Sequence, residues 1–256
     1  MPAETIYIAG RYNKYLRDLS QSPWIDKDDV RVKDSVQELI EDGLKQYLKF
    51  EKSIFASSGR EDVDVRMLGR GRPFTFKLLS PEFLADYNEA TLAKIQVFVN
   101  SKHKGKVHIR DLQYVTKSDI TKYMTETLES KQKQYRALCC CSRSISDEDI
   151  NRINAIKNLV INQLTPIRVL QRRTWATRKR TIYEMSIEQV KMEDFEVVKA
   201  EHLSRMFVLV LTAEAGTYIK EFVHGDFGRT TPNIAQLLGQ DCEADLVELD
   251  VMVSKQ

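Results

Sequence analysis

The spacing of apolar and polar residues predicts a chain in which helices and strands mix without regular alternation. Apolar residues at helical intervals predict helices over 34–50, 88–100, 117–128, 147–159, 217–224 and 232–238. Alternating or β-branched segments predict strands over 62–67, 74–79, 107–115, 134–142, 180–192, 206–213 and 246–253. This mixture predicts an α+β fold with a mixed, mostly antiparallel central sheet flanked by helices.

Chain length limits the number of domains, and net charge limits the kind of surface that could bind nucleic acid. The 256 residues suit one domain over 1–256, either undivided or split into subdomains of about 1–143 and 144–256. The 39 Lys and Arg residues nearly balance 37 Asp and Glu residues, for a net charge of +2. Any surface that binds nucleic acid must therefore come from local clusters of basic residues.

The four cysteines, Cys139, Cys140, Cys141 and Cys242, lack the spacing of a zinc site, and the first three suit a buried strand. Free thiols favour a reducing compartment. The sequence has no apolar run of the roughly 20 residues that a membrane helix needs. Residues 1–9 lack a basic region followed by a long apolar core, so we expect no secretory signal. We therefore expect no membrane association and a location in the nucleus or cytoplasm. We also expect a monomer.

The segment most indicative of a functional site is 58–74, SGREDVDVRMLGRGRPF, which places two aspartates among four arginines. If 62–67 is a strand, Asp62 and Asp64 share one face about 6.5–7 Å apart. Two carboxylates at that spacing suit acid–base or nucleophilic work on a glycosidic bond. Alternatively, Asp62 lies in the turn after Gly59, or both aspartates pair with neighbouring arginines and stabilise a surface hairpin.

These residues resemble a known motif. The segment GREDVDVR resembles the GRTDxGVH motif of pseudouridine synthases that act on the tRNA anticodon arm. The longer string GREDVDVRMLGRGRPF is similar to the archaeal and eukaryotic tRNA pseudouridine synthases of the THUMP-domain type, the Pus-ten family. The resemblance implies a pseudouridine synthase fold with an RNA-binding cleft. It also implies that Asp62 is the catalytic nucleophile and that Arg60 lies near the flipped uridine.

Three further segments resemble the same family in the same order. Residues 133–138, KQYRAL, match a KxYxA motif, which implies that Tyr135 stacks on the target base. Residues 216–220, GTYIK, match a motif in which Ile219 packs beneath the base and Lys220 pairs with the catalytic aspartate. Residues 165–173, TPIRVLQRR, match a basic segment that implies phosphate contacts by Arg168, Arg172 and Arg173.

The resemblance implies that the chain isomerises uridine to pseudouridine in the TΨC loop of tRNA, at position 55 or at 54. Arg60, Arg70 and Arg72 would then hold the RNA around the flipped uridine. No metal and no cofactor is needed. An entry segment over 10–24 also matches, and it implies backbone contacts by Arg11, Lys14 and Arg17.

The sequence departs from the family at its start, where we expect the N-terminal accessory domain with its THUMP element and CxxC zinc ligands to be absent. Two other functions remain open. One is a catalytically inactive RNA-binding module or tRNA chaperone with the synthase fold. The other is a hydrolytic N-glycosidase that uses Asp62 and Asp64 as a pair.

Overall fold

A computed structural model describes residues 5–23, 34–121, 132–190, 200–239 and 241–253. The chain forms two compact units, Met1–Ser130 and Lys131–Gln256. The sequence placed a subdomain division near residue 143. The observed division precedes the strand Gln132–Cys141, because that strand forms hydrogen-bonded ladders with strands late in the chain.

The first unit contains an antiparallel sheet and two packed helices. Its elements are β1 (Thr5–Lys14), α1 (Val36–Tyr47), β2 (Lys49–Ser57), β3 (Val65–Glu82), a 3-10 turn (Leu84–Asp86), α2 (Glu89–Lys102) and β4 (Val107–Val115). The strand order is β4-β1-β3-β2, with every pairing antiparallel. The core includes Ile8, Phe76 and Ile95, all fully buried.

The second unit is built round a longer antiparallel sheet. Its strands are β5 (Gln132–Cys141), β6 (Lys157–Leu164), β7 (Thr177–Gln189), β8 (Met206–Glu214), β9 (Thr230–Thr231) and β10 (Ala244–Val253). Its helices are α3 (Asp147–Asn154), α4 (Ile219–His224), α5 (Ile234–Leu238) and the 3-10 segments Ile167–Arg172 and Ala200–Arg205. The strand order is β10-β5-β8-β7-β6-β9, again antiparallel throughout. The predicted α+β class with a mostly antiparallel sheet is confirmed.

Local signals in the sequence set several element ends. Ser146 caps α3 through a reciprocal pair of hydrogen bonds with Asp149. Asp149 also accepts hydrogen bonds from Arg143 and Arg152, and the Arg143 guanidinium holds the pKa of that carboxyl well below its usual range. Ser35 caps α1 in the same way. These caps satisfy amide groups that the first helical turn leaves without partners.

Several predicted boundaries were wrong. The predicted helix 34–50 stops at Tyr47 because the chain turns into β2, and the predicted helix 147–159 stops at Asn154 because residues 157–164 pair with β7. Strands β1 and β2 were not predicted. The helix predicted over 117–128 is present over 117–121, and the rest of that range lies outside the described residues.

Other expectations concern the cysteines, membranes and metals. Cys139, Cys140 and Cys141 lie in β5, as predicted, but only Cys139 and Cys141 are buried, because Cys140 is half-buried on the other face of the strand; all four thiols are free. Among the described residues, no helix is both long and apolar enough to span a membrane. Within those same ranges, no group of three or more His, Cys, Asp or Glu side chains could hold a metal ion.

Candidate active site

Asp62 lies in a short loop, residues 58–64, that connects β2 to β3. The strand predicted over 62–67 is present only from Val65, where β3 begins, and Asp62 lies in the turn before it, which is the alternative that the sequence left open. The Val65 amide donates to the Asp62 carbonyl at 3.1 Å and closes a turn. Asp62 is half-buried in this turn and Asp64 is exposed, so the two carboxylates lie in different environments.

Glu61, the residue before Asp62, anchors the loop from within. Its side chain is fully buried, and its carboxylate accepts a hydrogen bond of 2.7 Å from the Tyr12 hydroxyl and one of 2.6 Å from Arg72 Nε. Arg72 Nη1 also donates to the Ser58 carbonyl at 2.7 Å. Burial of a carboxylate is favourable only with such partners. The loop is therefore tied to β3 by a buried ion pair and to β1 by the hydrogen bond from Tyr12.

Gln21 extends this network to the beginning of the loop. Its amide donates to the Tyr12 hydroxyl at 2.8 Å and to the Gly59 carbonyl at 3.1 Å. Burial raises the pKa of Tyr12 well above its usual value, and the neighbouring Glu61 charge raises it further. The phenol therefore stays a hydrogen-bond donor to Glu61 at neutral pH.

Lys14 holds the backbone of the loop at Asp62 itself. The side chain is fully buried, and its ammonium donates to the carbonyls of Leu19 at 2.7 Å, Asp62 at 3.1 Å and Val63 at 2.8 Å. An ammonium has three donors, and all three are used here. The predicted contact of Lys14 with the RNA backbone was wrong, because this side chain does not reach solvent.

The charge of Lys14 is balanced against its burial. Burial lowers the pKa of Lys14 to about 8, and the carboxylates of Glu61, Asp64 and Asp62 oppose that change. The ammonium is therefore a cation beneath the acidic loop at neutral pH.

The predicted RNA-binding arginines of this unit lie in different environments. Arg60 and Arg70 are exposed. Arg72 is only 6% exposed and is committed to Glu61 and Ser58, so the structure places it in the support of the loop and not on the surface. Arg70 lies between Gly69 and Gly71 in a bulge of β3, where the sequence had predicted a turn between two strands.

The second unit contains the predicted base-binding residues. Tyr135 is 8% exposed in the middle of the sheet, where it pairs with Leu211 of β8 and Val251 of β10. Ile219 is buried at the first position of α4, and Lys220 is half-buried at the second.

The turn before α4 is fixed by a neighbouring strand. Gly216 adopts φ +84°, and the Thr217 hydroxyl donates to the Glu214 carbonyl at 2.6 Å. The side-chain amide of Gln163 both accepts from the Tyr218 amide at 3.0 Å and donates to its carbonyl at 2.9 Å. This pair of bonds places Ile219 and the helix start against β6.

The predicted basic segment forms the 3-10 turn Ile167–Arg172 and its continuation. Arg172 and Arg173 are exposed. Arg168 Nε donates to buried Glu221 at 2.7 Å, and its guanidinium lies 6.0 Å from the Tyr218 ring centroid. Arg168 thus joins the segment to α4 while its side chain stays 38% exposed, and Arg172 and Arg173 are exposed beside it.

Sequence reasoning missed the supporting residues Tyr12, Gln21 and Glu61. A signal was present, because Glu61 stands between the arginine and the aspartate where the resembling motif has threonine. An acid next to the expected nucleophile could have indicated a buried partner. The identity of that partner could not be read from the sequence, since Arg72 is eleven residues away and Tyr12 is 49.

Two tRNA pseudouridine synthases, one human and one archaeal, are similar to this chain over nearly its whole length. The human protein named tRNA pseudouridine synthase Pus10 is 45% identical over 246 residues, which are 96% of this chain and 43% of the human protein. The Pyrococcus furiosus protein of that name is 32% identical over 245 residues, 95% of this chain and 56% of that protein. The chain spans about half the length of the curated relatives it matches. Both of these relatives are named tRNA pseudouridine synthases.

The family follows from a match over almost every residue. The model of the family described as "Pus10, C-terminal" matches residues 7–254, and the chain belongs to this family. Among solved structures, one chain of a Cbf5-Nop10-Gar1 complex is similar with a TM-score of 0.46 and 17% identity. That similarity covers 96% of this chain and 48% of the other.

Proposed function

We propose that this chain is the catalytic part of a tRNA pseudouridine synthase that isomerises uridine to pseudouridine. Membership of the Pus10 C-terminal family supports the reaction class. The observation that carries the proposal is the support of the loop at Asp62. The Asp62 side chain is half-buried, and Lys14 and the Glu61–Arg72 ion pair hold the backbone of its loop in place. A reacting group must be held in a fixed position, and buried supporting residues do this.

Asp62 performs the chemistry in this proposal. Its carboxylate acts at the sugar of the target uridine, and the bond between C1′ and N1 breaks with its electron pair going to the uracil ring. The ring turns, and C5 forms the new bond to C1′. C5 then loses its proton and N1 gains one, so that the product is an isomer of the substrate. No metal or organic cofactor takes part.

The other predicted residues keep the roles that the motifs imply. Tyr135 provides a flat ring for the base, Ile219 an apolar contact beneath it, and Lys220 a cation that favours the charged carboxylate. Arg60, Arg70, Arg172 and Arg173 are exposed and contact phosphates. Because Arg72 and Arg168 are ion-paired with Glu61 and Glu221, we assign them to positioning the loop and α4.

The substrate in this proposal is the TΨC loop of tRNA, at position 55 or 54. The target base must leave its stack to reach a carboxylate, which costs a few kcal/mol that phosphate contacts offset. We place the reaction in the nucleus or cytoplasm, and the four free thiols support a reducing compartment.

Tritium release tests the proposal. The change Asp62→Asn should abolish release of tritium from tRNA labelled at uridine C5, because the amide cannot act at the sugar. Asp64→Asn is the matched control, because it makes the same change two residues further along the chain, and it should keep most of the wild-type rate. Release at the wild-type rate by the Asp62 variant would exclude Asp62 as the catalytic group. Loss only in the Asp64 variant would transfer the role to Asp64.

A further inference from the structure

The side chain of Phe227 is 96% exposed, more than any other large apolar side chain in the part of the chain that the structure describes. A ring in water contributes no burial to the stability of the fold. It lies in the loop Gly225–Gly228, between α4 and β9, which we call the Phe227 loop.

The Phe227 loop has an unfavourable backbone that its neighbours enforce. Asp226 and Phe227 have φ values of +49° and +55°, the left-handed region that disfavours residues with a Cβ. The Asp226 carboxylate accepts from the Ile167 amide at 3.2 Å and forms an ion pair of 3.4 Å with Arg229. The Thr230 amide donates to the Gly225 carbonyl at 3.0 Å. These contacts hold the backbone of the loop in place, so the Phe227 ring is exposed at a fixed position.

Arg229 connects this loop to an exposed aromatic ring in a basic segment. The Arg229 guanidinium lies 5.1 Å from the ring centroid of Trp175, which is 66% exposed, and donates to the Thr165 carbonyl at 2.6 Å. Arg172 and Arg173 are exposed in the segment that leads to Trp175. Asp226 is 7% exposed and paired with Arg229, so its charge is compensated. The accessible charge of Arg172 and Arg173 next to exposed rings suits a polyanion with flat bases.

We propose that the Phe227 loop is a stacking site for an unpaired nucleotide of the RNA substrate, outside the residues assigned to the reaction. The base stacks on the Phe227 ring, and the exposed Arg172 and Arg173 contact the adjoining phosphates. The inference rests on the proposed function, because that function makes RNA the ligand. A ring already held in place loses little conformational freedom on binding. Bases in a duplex are stacked on each other, so the site selects single-stranded or loop nucleotides.

The change Phe227→Ala tests the site through binding. Fluorescence anisotropy would measure affinity for a labelled single-stranded oligouridylate and for a blunt RNA duplex of the same length. We expect about tenfold weaker binding of the single strand, in line with the loss of one stacked base, and little change for the duplex. Phe83→Ala is the matched control, because Phe83 is also exposed, at 66%, and has φ +52°. It should bind both RNAs like the wild type.

Two further variants separate stacking from other roles. Phe227→Trp should keep or improve single-strand binding, and Phe227→Leu should lose it although it stays apolar. Wild-type affinity in Phe227→Ala, or an equal loss for the duplex, would overturn the proposal. So would full binding by Phe227→Leu, which would show that the RNA needs an apolar side chain here and not an aromatic ring.

The result is independent of turnover. All affinities can be measured again in the Asp62→Asn background, where no reaction changes the RNA. If the wild type releases no tritium but Phe227→Ala still loses single-strand binding, the proposed reaction fails and the stacking site stands. If tritium is released but Phe227→Ala binds normally, the stacking site fails alone.

Discussion

At the scale of single residues, the support of Asp62 depends on charges that are removed from water. Glu61 and Arg72 have side chains that are 0% and 6% exposed, and their contact is 2.6 Å long. Such a pair gains little over two apolar residues, but an unpaired member is costly. The pair therefore specifies the position of the loop more than it adds to the overall stability.

Removal of one member of this pair should destabilise the protein strongly. Glu61→Gln leaves the Arg72 guanidinium buried without a counter-charge, and we expect a loss of about 3–5 kcal/mol in the free energy of unfolding. Urea unfolding followed by circular dichroism would measure it. The double change Glu61→Leu with Arg72→Met should cost less than Glu61→Gln alone, because it leaves neither charge of this pair buried without its partner. Equal or greater loss in the double variant would contradict this account.

The second residue-scale prediction concerns pH and Lys14. Burial lowers the pKa of Lys14 to about 8 in the folded state, whereas a lysine in the unfolded chain titrates near about 10.4. Between these values the unfolded state binds more protons, so the Lys14 contribution to stability rises with pH. It is constant below pH 8 and again above about 10.4.

Comparison with Lys14→Met isolates this effect from other groups that titrate. The free energy of unfolding of the wild type minus that of the variant should rise by about 2–3 kcal/mol between pH 8 and pH 10. Urea titrations at several pH values would measure the difference. A difference that stays flat over this window, or that falls, would show that Lys14 has an ordinary pKa in the folded protein.

At the scale of elements, the bulge in β3 determines where the arginines lie. β1 pairs Tyr12 with Arg72 but Lys14 with Met67, so β3 carries extra residues between these pairs. Asn13 donates to the Gly69 carbonyl at 3.1 Å, which fixes the bulge to β1. The bulge therefore exposes one arginine, Arg70, and buries Arg72 beside Glu61.

Gly71 is the residue on which this bulge depends. It has φ +74°, and an added Cβ would lie 2.7 Å from the Tyr12 carbonyl oxygen. We expect Gly71→Ala to cost about 3 kcal/mol or more, and to slow turnover because the support of Asp62 shifts. Thermal unfolding and tritium release would measure both effects.

Gly105 provides the matched control for that change. It has a similar φ of +79°, but an added Cβ would meet no atom within 4 Å. Gly105→Ala should therefore cost only the left-handed backbone term, about 1–2 kcal/mol. Equal losses in the two variants would show that the close contact with Tyr12 has no energetic role.

At the scale of the whole molecule, charge is distributed in clusters. The net charge is +2, so attraction of RNA cannot come from the overall balance. Arg172 and Arg173 stand together and exposed, whereas Arg72 is neutralised by Glu61 in the interior. RNA binding should therefore depend on few exposed residues and strongly on salt.

The salt dependence of tRNA binding tests this distribution. The double change Arg172→Ala with Arg173→Ala should weaken binding and reduce the slope of log affinity against log salt by about 1.5–2. The control, Lys45→Ala with Lys104→Ala, removes the same charge from exposed residues of the first unit. Filter binding at several salt concentrations would measure both slopes. An equal reduction in both double variants would show that only net charge matters.

The sequence predicted the elements whose signals are local. The helical spacing of apolar residues located α2 to within two residues, and β-branched runs located β4 and β8 almost to the residue. It did not predict β1 or β2. Apolar and polar residue types do not alternate along their sequences, and their pairing with β3 decides their structure.

The sequence by itself determined the α+β class, the motifs that resemble one family, and the choice of Asp62 as the residue to test. These depend on residue type and order, which need no long-range contact. Only the tertiary structure decided which charges face water. Arg72 and Lys14 read as RNA contacts in the sequence, but pairing with Glu61 and with loop carbonyls buries them. The cost of burying a charge depends on partners that are distant in the chain, and only folding brings them together.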